Sequence, residues 1–135
     1  MARRLAGIGN RSFVITNALV DLTATAGDIP ALMVCPGDGA KLLSGSYTIH
    51  TAGVGSGAVH QLTVEHGEAG AGVALTGIVN VDADAAAAGT IVTFTALDPA
   101  GQPNTVEGTN IQLLNAESAA ISTGVIVNVQ LRWEL

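Results

Sequence analysis

The final stretch of the chain alternates with a period of two. Val125, Val127, Val129, Leu131 and Trp133 fall on one phase, and Ile126, Asn128, Gln130 and Arg132 on the other. That period predicts a strand with one buried face. The segment from His60 to His66 repeats the pattern, with Leu62 and Val64 on one phase and Gln61, Thr63 and Glu65 on the other. Upstream, Lys41 to Thr51 places Tyr47, Ile49 and Thr51 on one side. The glycine-rich run Gly53-Val54-Gly55-Ser56-Gly57 then reverses the chain, so these two segments read as a hairpin with a long loop.

Five further runs are rich in β-branched residues and bounded by Gly, Pro, Asn or Asp: Phe13 to Val20, Ile29 to Cys35, Val73 to Val81, Thr90 to Leu97 and Thr109 to Leu114. Eight strands result. The separators suit turns for specific reasons. Pro36-Gly37-Asp38-Gly39 combines a fixed φ with two glycines free to take positive φ, and Asp98-Pro99-Ala100-Gly101 does similar work. Helix is scarce: Asp82 to Ala88 is alanine-rich, but it is short and Gly89 closes it, which favours a loop or a single turn. Strands at this spacing, without intervening helices of 10–15 residues, predict an all-β antiparallel sandwich. Eight strands favour a jelly roll, with an immunoglobulin-like order left open. The organisation read from the chain is an irregular N-terminal arm over residues 1–12 and one sandwich domain over residues 13–135.

Composition sharpens this picture. Hydrophobic residues make up 48% of the chain and aromatics only 3%, so Val, Ile, Leu and Ala must fill the core. Phe13, Tyr47, Phe94 and Trp133 lie on four different strands, and each is expected to anchor the packing between the sheets. The net charge of −6 argues against a nucleic-acid partner, whose phosphates a binder must neutralise. Arg3, Arg4 and Arg11 are three of the five basic residues, and no acid precedes Asp21, so a basic arm leads an acidic body. The arm lacks the apolar run of a signal peptide, and polar residues interrupt every hydrophobic stretch before it reaches membrane-spanning length. A soluble protein without a membrane partner is expected. The single cysteine, Cys35, excludes an internal disulfide and reads as a small buried hydrophobe made in a reducing cytoplasm.

Candidate chemistry is sparse. His50, His60 and His66 lie on neighbouring segments, yet six residues along a strand is roughly 20 Å, too far for His60 and His66 to share one ion. Asp82-Ala83-Asp84 resembles the start of a cation loop, but Ala85 to Ala88 offers no further oxygen ligands. Asp38 fits turn chemistry, and Glu65 and Glu68 flank a turn without a partner that would tune them for acid–base work. The Gly53–Gly57 run has no following Lys-Ser or Lys-Thr and leads into a strand, so it is not a phosphate loop. No serine sits in a nucleophile elbow. These readings point away from an enzyme and from any cofactor or metal. Carbohydrate binding needs exposed aromatic faces, whereas Trp133 and Tyr47 occupy the apolar phases of their strands.

The run VALTGIVNVDADAAAAGTIVTFTAL over Val73–Leu97, the strand marked by Asn and Gly after it, and the terminal GVIVNVQLRWEL together resemble small head-decoration (cement) proteins of tailed bacteriophages. The resemblance is one of texture over roughly residues 40 to 135: alternating Thr/Val strands joined by Ala- and Gly-rich turns. It implies a non-enzymatic, homo-oligomeric protein, a trimer or dimer, made in the host cytoplasm. Its place would be the outside of the virion capsid, bound to the major capsid protein and reinforcing the shell. No family motif is matched, so no functional residue carries over individually. Arg3, Arg4 and Arg11 are the expected capsid-binding residues through charge-assisted hydrogen bonds, and the edge strands are the expected oligomer contacts. Another virion part, in a tail or head fibre, and a carbohydrate-binding module are the alternatives.

Overall fold

A computed structural model describes residues 12–22, 27–52, 59–67, 72–82, 87–98, 102, 104–117 and 125–135. All regular structure among them is β: β1 (Phe13–Asp21), β2 (Gly27–Val34), β3 (Lys41–Thr51), β4 (Val59–His66), β5 (Val73–Ala74), β6 (Val79–Asp82), β7 (Ile91–Thr93), β8 (Asn110–Glu117) and β9 (Ile126–Glu134). One sheet has the order β1-β9-β3-β7. The other runs β2-β8-β4-β5, with β6 also paired to β4. Because β5 joins β4 at Glu65 and His66 while β6 joins it at Val59 to Leu62, the two short strands lie end to end on one edge. Nine strands therefore fill four positions in each of two antiparallel sheets. The pairing is nested: β1 with β9, β2 with β8, β3 with β7, and β4 with β5 and β6. This is the jelly roll, and it sets aside the immunoglobulin-like order.

The nesting corrects the expected hairpin. Both edges of β3 are taken, by β9 and β7, so β4 has no place beside it and lies in the opposite sheet. Val73 to Val81 is also not one strand. Leu75 turns into the core, and the Thr76 hydroxyl accepts the Val64 N–H at 3.1 Å, standing in for the strand backbone across the gap. Of Thr90 to Leu97 only Ile91–Thr93 forms a ladder strand. Phe94 still donates its N–H to the Gly45 carbonyl, but beyond it the chain leaves the ladder, with Ala96 at φ 55°.

The same device recurs on β3. A bulge between Leu42 and Ser44 turns the Leu42 backbone toward the side that β7 is too short to cover. The Gln102 side chain fills the vacancy. Its Oε1 accepts the Leu42 N–H and its Nε2 donates to the Leu42 carbonyl, both at 2.7 Å. The Thr105 hydroxyl then donates to the Ala40 carbonyl, and the Gly39 N–H, in a turn at φ 69°, donates to the Thr105 carbonyl.

Between the sheets, Val127, Val129, Leu131 and Trp133 of β9 are fully buried and face Leu62, Val64, Ile111 and Leu113 of the second sheet. Trp133 keeps its indole N–H bonded to Thr16 Oγ1 at 3.0 Å. Tyr47 and Phe94 meet edge to face with centroids 5.8 Å apart. Gly45 is glycine because Leu131 and Phe94 fill the space its side chain would need. Cys35 is buried, as expected of it. Phe13 is not part of this core: it is 48% exposed, because its phase of β1 faces outward.

Two outcomes follow. Gln102→Leu keeps the volume but strands two buried backbone groups, and should destabilise the fold by roughly 1–3 kcal/mol for each, read as a lower urea midpoint. Burial pushes the Tyr47 phenol from 10.0 up to about 12. Below pH 10 both folded and unfolded states hold the proton, and this group leaves stability unchanged. As pH rises from 10 toward about 12 the unfolded chain ionises first, so the fold loses stability. Comparing wild type with Tyr47→Phe by thermal unfolding across that window should show the extra alkaline loss in the wild type alone.

Candidate interaction surface

The strand that opens the domain is apolar on both phases. Val14, Ala18 and Val20 point inward, and Phe13, Ile15 and Leu19 point outward, 48%, 59% and 64% exposed. The register carries each outward residue across the sheet. Phe13 stands in one row with Glu134 and Lys41, Ile15 with Arg132 and Ser44, Asn17 with Gln130 and Ser46, Leu19 with Asn128 and Thr48, and Asp21 with Ile126 and Thr51. The outer face of this sheet is thus mostly polar along its two central strands, with Phe13, Ile15 and Leu19 exposed along the β1 edge and Ile91 on the β7 edge.

Two local features shape this face. The Arg132 guanidinium lies 4.8 Å from the centre of the Phe13 ring, a cation–π contact that covers the ring and leans the charge toward the edge. Beside it, Ile15, Ser44, Ser46, Thr93, Gln130 and Arg132 line an open depression of about 270 Å³. The serines make it, because short side chains on β3 sit between longer ones on β9 and β7. Its chemistry is that of hydrogen bonding: hydroxyls, an amide and a guanidinium.

Arg3, Arg4 and Arg11, the arginines read as partner-binding, lie outside the described residues. The root of the arm does not. The Ser12 carbonyl accepts the Leu135 N–H at 2.8 Å, which fixes the start of β1 beside the end of β9. The arm thus leaves the body at the Phe13 and Arg132 end of the apolar edge. At the same end the Asp38 carboxylate accepts the Glu107 N–H at 2.8 Å and joins two loops, the turn role read for it.

The histidines do not form one cluster. His50 is exposed on the first sheet, its Nδ1 3.1 Å from Thr51 Oγ1, whereas His60 and His66 stand at opposite ends of β4 in the second. His66 Nε2 lies 2.7 Å from Thr109 Oγ1. Among the described residues no three His, Cys, Asp or Glu side chains gather as a metal site. Asp82 ends β6, and the rest of the suspected cation loop, residues 83–86, lies outside the described residues, as does Glu68. Glu65 accepts a 3.0 Å hydrogen bond from Gln112 Nε2, and both sit against Gly72, where a side chain would collide with them. Sequence reasoning missed the outward row on β1. Its signal was present, since a strand apolar on both phases has one phase too many for a single core.

The contact between Phe13 and Arg132 can be measured alone. A double-mutant cycle with Phe13→Ala and Arg132→Gln should give a coupling of about 0.5–1 kcal/mol, the range of exposed cation–π pairs, by urea unfolding.

No protein-family model, curated protein or solved structure matches this chain.

Proposed function

We propose that the protein is a capsid decoration (cement) protein of a tailed bacteriophage, binding the outer surface of the assembled head and stabilising it without catalysis. The observation that carries the reading is the juxtaposition at the root of the arm: an arginine-bearing segment leaves a sandwich whose adjoining edge strand turns Phe13, Ile15 and Leu19 outward. The texture of the strands from residue 40 onward supports the same role.

The energetics suit repetition. One small contact is weak, but linked copies that engage several lattice sites together gain effective concentration, worth about 10²–10⁴-fold in affinity without new kinds of contact. Binding only the assembled shell stabilises it by mass action. Arg3, Arg4 and Arg11 would supply charge-assisted hydrogen bonds to acidic capsid surface.

The test uses expanded heads that lack decoration. The full chain should add to them, and a variant without residues 1–11, which keeps the Ser12 carbonyl bonded to Leu135, should fold normally yet add roughly tenfold or more weakly, as expected for the loss of several charged hydrogen bonds. Normal addition by the truncated chain would remove the arm from the account. Incorporation into tails made without heads would instead assign the protein to the tail, and saturable binding of glycans measured by calorimetry would favour sugar binding.

A further inference from the structure

The two sheets have four outer edges, and three of them are poor templates for another strand. On β2, Pro30 lacks an N–H and the register slips between Ile29 and Met33. β7 is three residues long, and the edge formed by β5 and β6 is broken at Leu75 to Ile78. These are the ordinary means by which proteins blunt edges. β1 has none of them. It runs nine residues in unbroken register with β9, without proline, bulge or lysine, and its inward positions are Val14, Thr16, Ala18 and Val20.

The direction in which its backbone groups point follows from the ladder. Ser12 and Leu22 bond across to Leu135 and Val125, so the even positions of β1 face β9. The odd positions, from Phe13 to Asp21, therefore turn their N–H and C=O groups to the other edge. Among the described residues no strand pairs there. The same odd residues carry the outward apolar row.

We propose that this edge receives a second copy of the chain, β1 against β1 antiparallel, about a two-fold axis through Asn17. The register is self-complementary. Asn17 meets the partner's Asn17, and Ile15 meets the partner's Leu19 twice over by symmetry, so the two apolar rows join side by side on the same outward face. Phe13 falls opposite the partner's Asp21 at each end of the contact. The two four-stranded sheets become one of eight. A two-fold interface of this kind closes on itself and gives a dimer. The inference specifies the self-association expected of a decoration protein but does not rest on that role, because it concerns the free protein.

The full chain should sediment as a dimer in the absence of capsids. Asn17→Cys should form a disulfide dimer under mild oxidation, since paired Cα atoms about 5.5 Å apart lie within disulfide range. Wild type, whose only cysteine is buried, should not. Leu19→Cys alone should stay unlinked, yet link when mixed with Ile15→Cys. Leu19→Lys, at an exposed position, should weaken dimerisation about tenfold or more while leaving thermal unfolding of the monomer unchanged. A monomer, a trimer, or a dimer that Asn17→Cys cannot lock would each overturn the proposal. A monomer that dimerises only after residues 1–11 are removed would show that the chain's own arm occupies the edge, and would overturn it equally. A dimer that fails to decorate heads would leave this interface standing and remove the proposed function.

Discussion

A buried backbone N–H or C=O that lacks a partner costs about as much as a hydrogen bond is worth, and this constraint organises the molecule. A sandwich of short strands is exposed to it wherever a strand stops before its neighbour does. The chain meets the problem twice with side chains. The Gln102 amide completes β3 where β7 has ended, and the Thr76 hydroxyl completes β4 between β5 and β6. In both cases a polar residue in an irregular segment serves as a fragment of strand. This is why a protein with so little unbroken edge pairing still forms two full sheets.

The second requirement is a core built with few aromatic rings. β9 supplies its centre, with Val127, Val129, Leu131 and Trp133 on one face between β1 and β3. Trp133 brings a polar atom into that core. Thr16 answers it, accepting from the indole and lying 2.7 Å from Met33 Sδ on the opposite sheet, so one hydroxyl ties the layers together. Gly45 leaves the space that Leu131 and Phe94 share. Packing is thus settled by a few large side chains and the small residues opposite them, and the valines fill what remains.

The strands were legible because period two survives wherever one face is buried, as at His60–His66 and Val125–Trp133. Their order was legible only as a preference for the jelly roll. The hairpin reading of β3 and β4 failed because a glycine-rich loop says that the chain turns, not which sheet it enters. Phe13 was assigned to the core because aromatic residues usually belong there. The alternation within β1 places it outside, and only the register with β9 decides which phase is inward. The bulges in β3 were invisible because they arise from pairing, and so was the role of Gln102, which acts on a residue 60 positions away. Of the interaction surface, the arginines were readable as charge, while the apolar row beside their root needed the fold.

The position of β9 has a consequence for the making of the protein. Trp133 and Thr16 are 117 positions apart, and β9 stands between β1 and β3 in the first sheet. Neither β1 nor β3 can complete its ladder until the chain through Glu134 has left the ribosome. During synthesis β1 is therefore a two-sided apolar ribbon whose inner phase stays without its ladder partner until β9 has been made. Such long-range closure is slow by its nature, because a large loop must form before any contact rewards it. The hazard for this fold is greatest on nascent chains, where the first strand of one molecule can meet that of its neighbour on the same message before either has found its own β9.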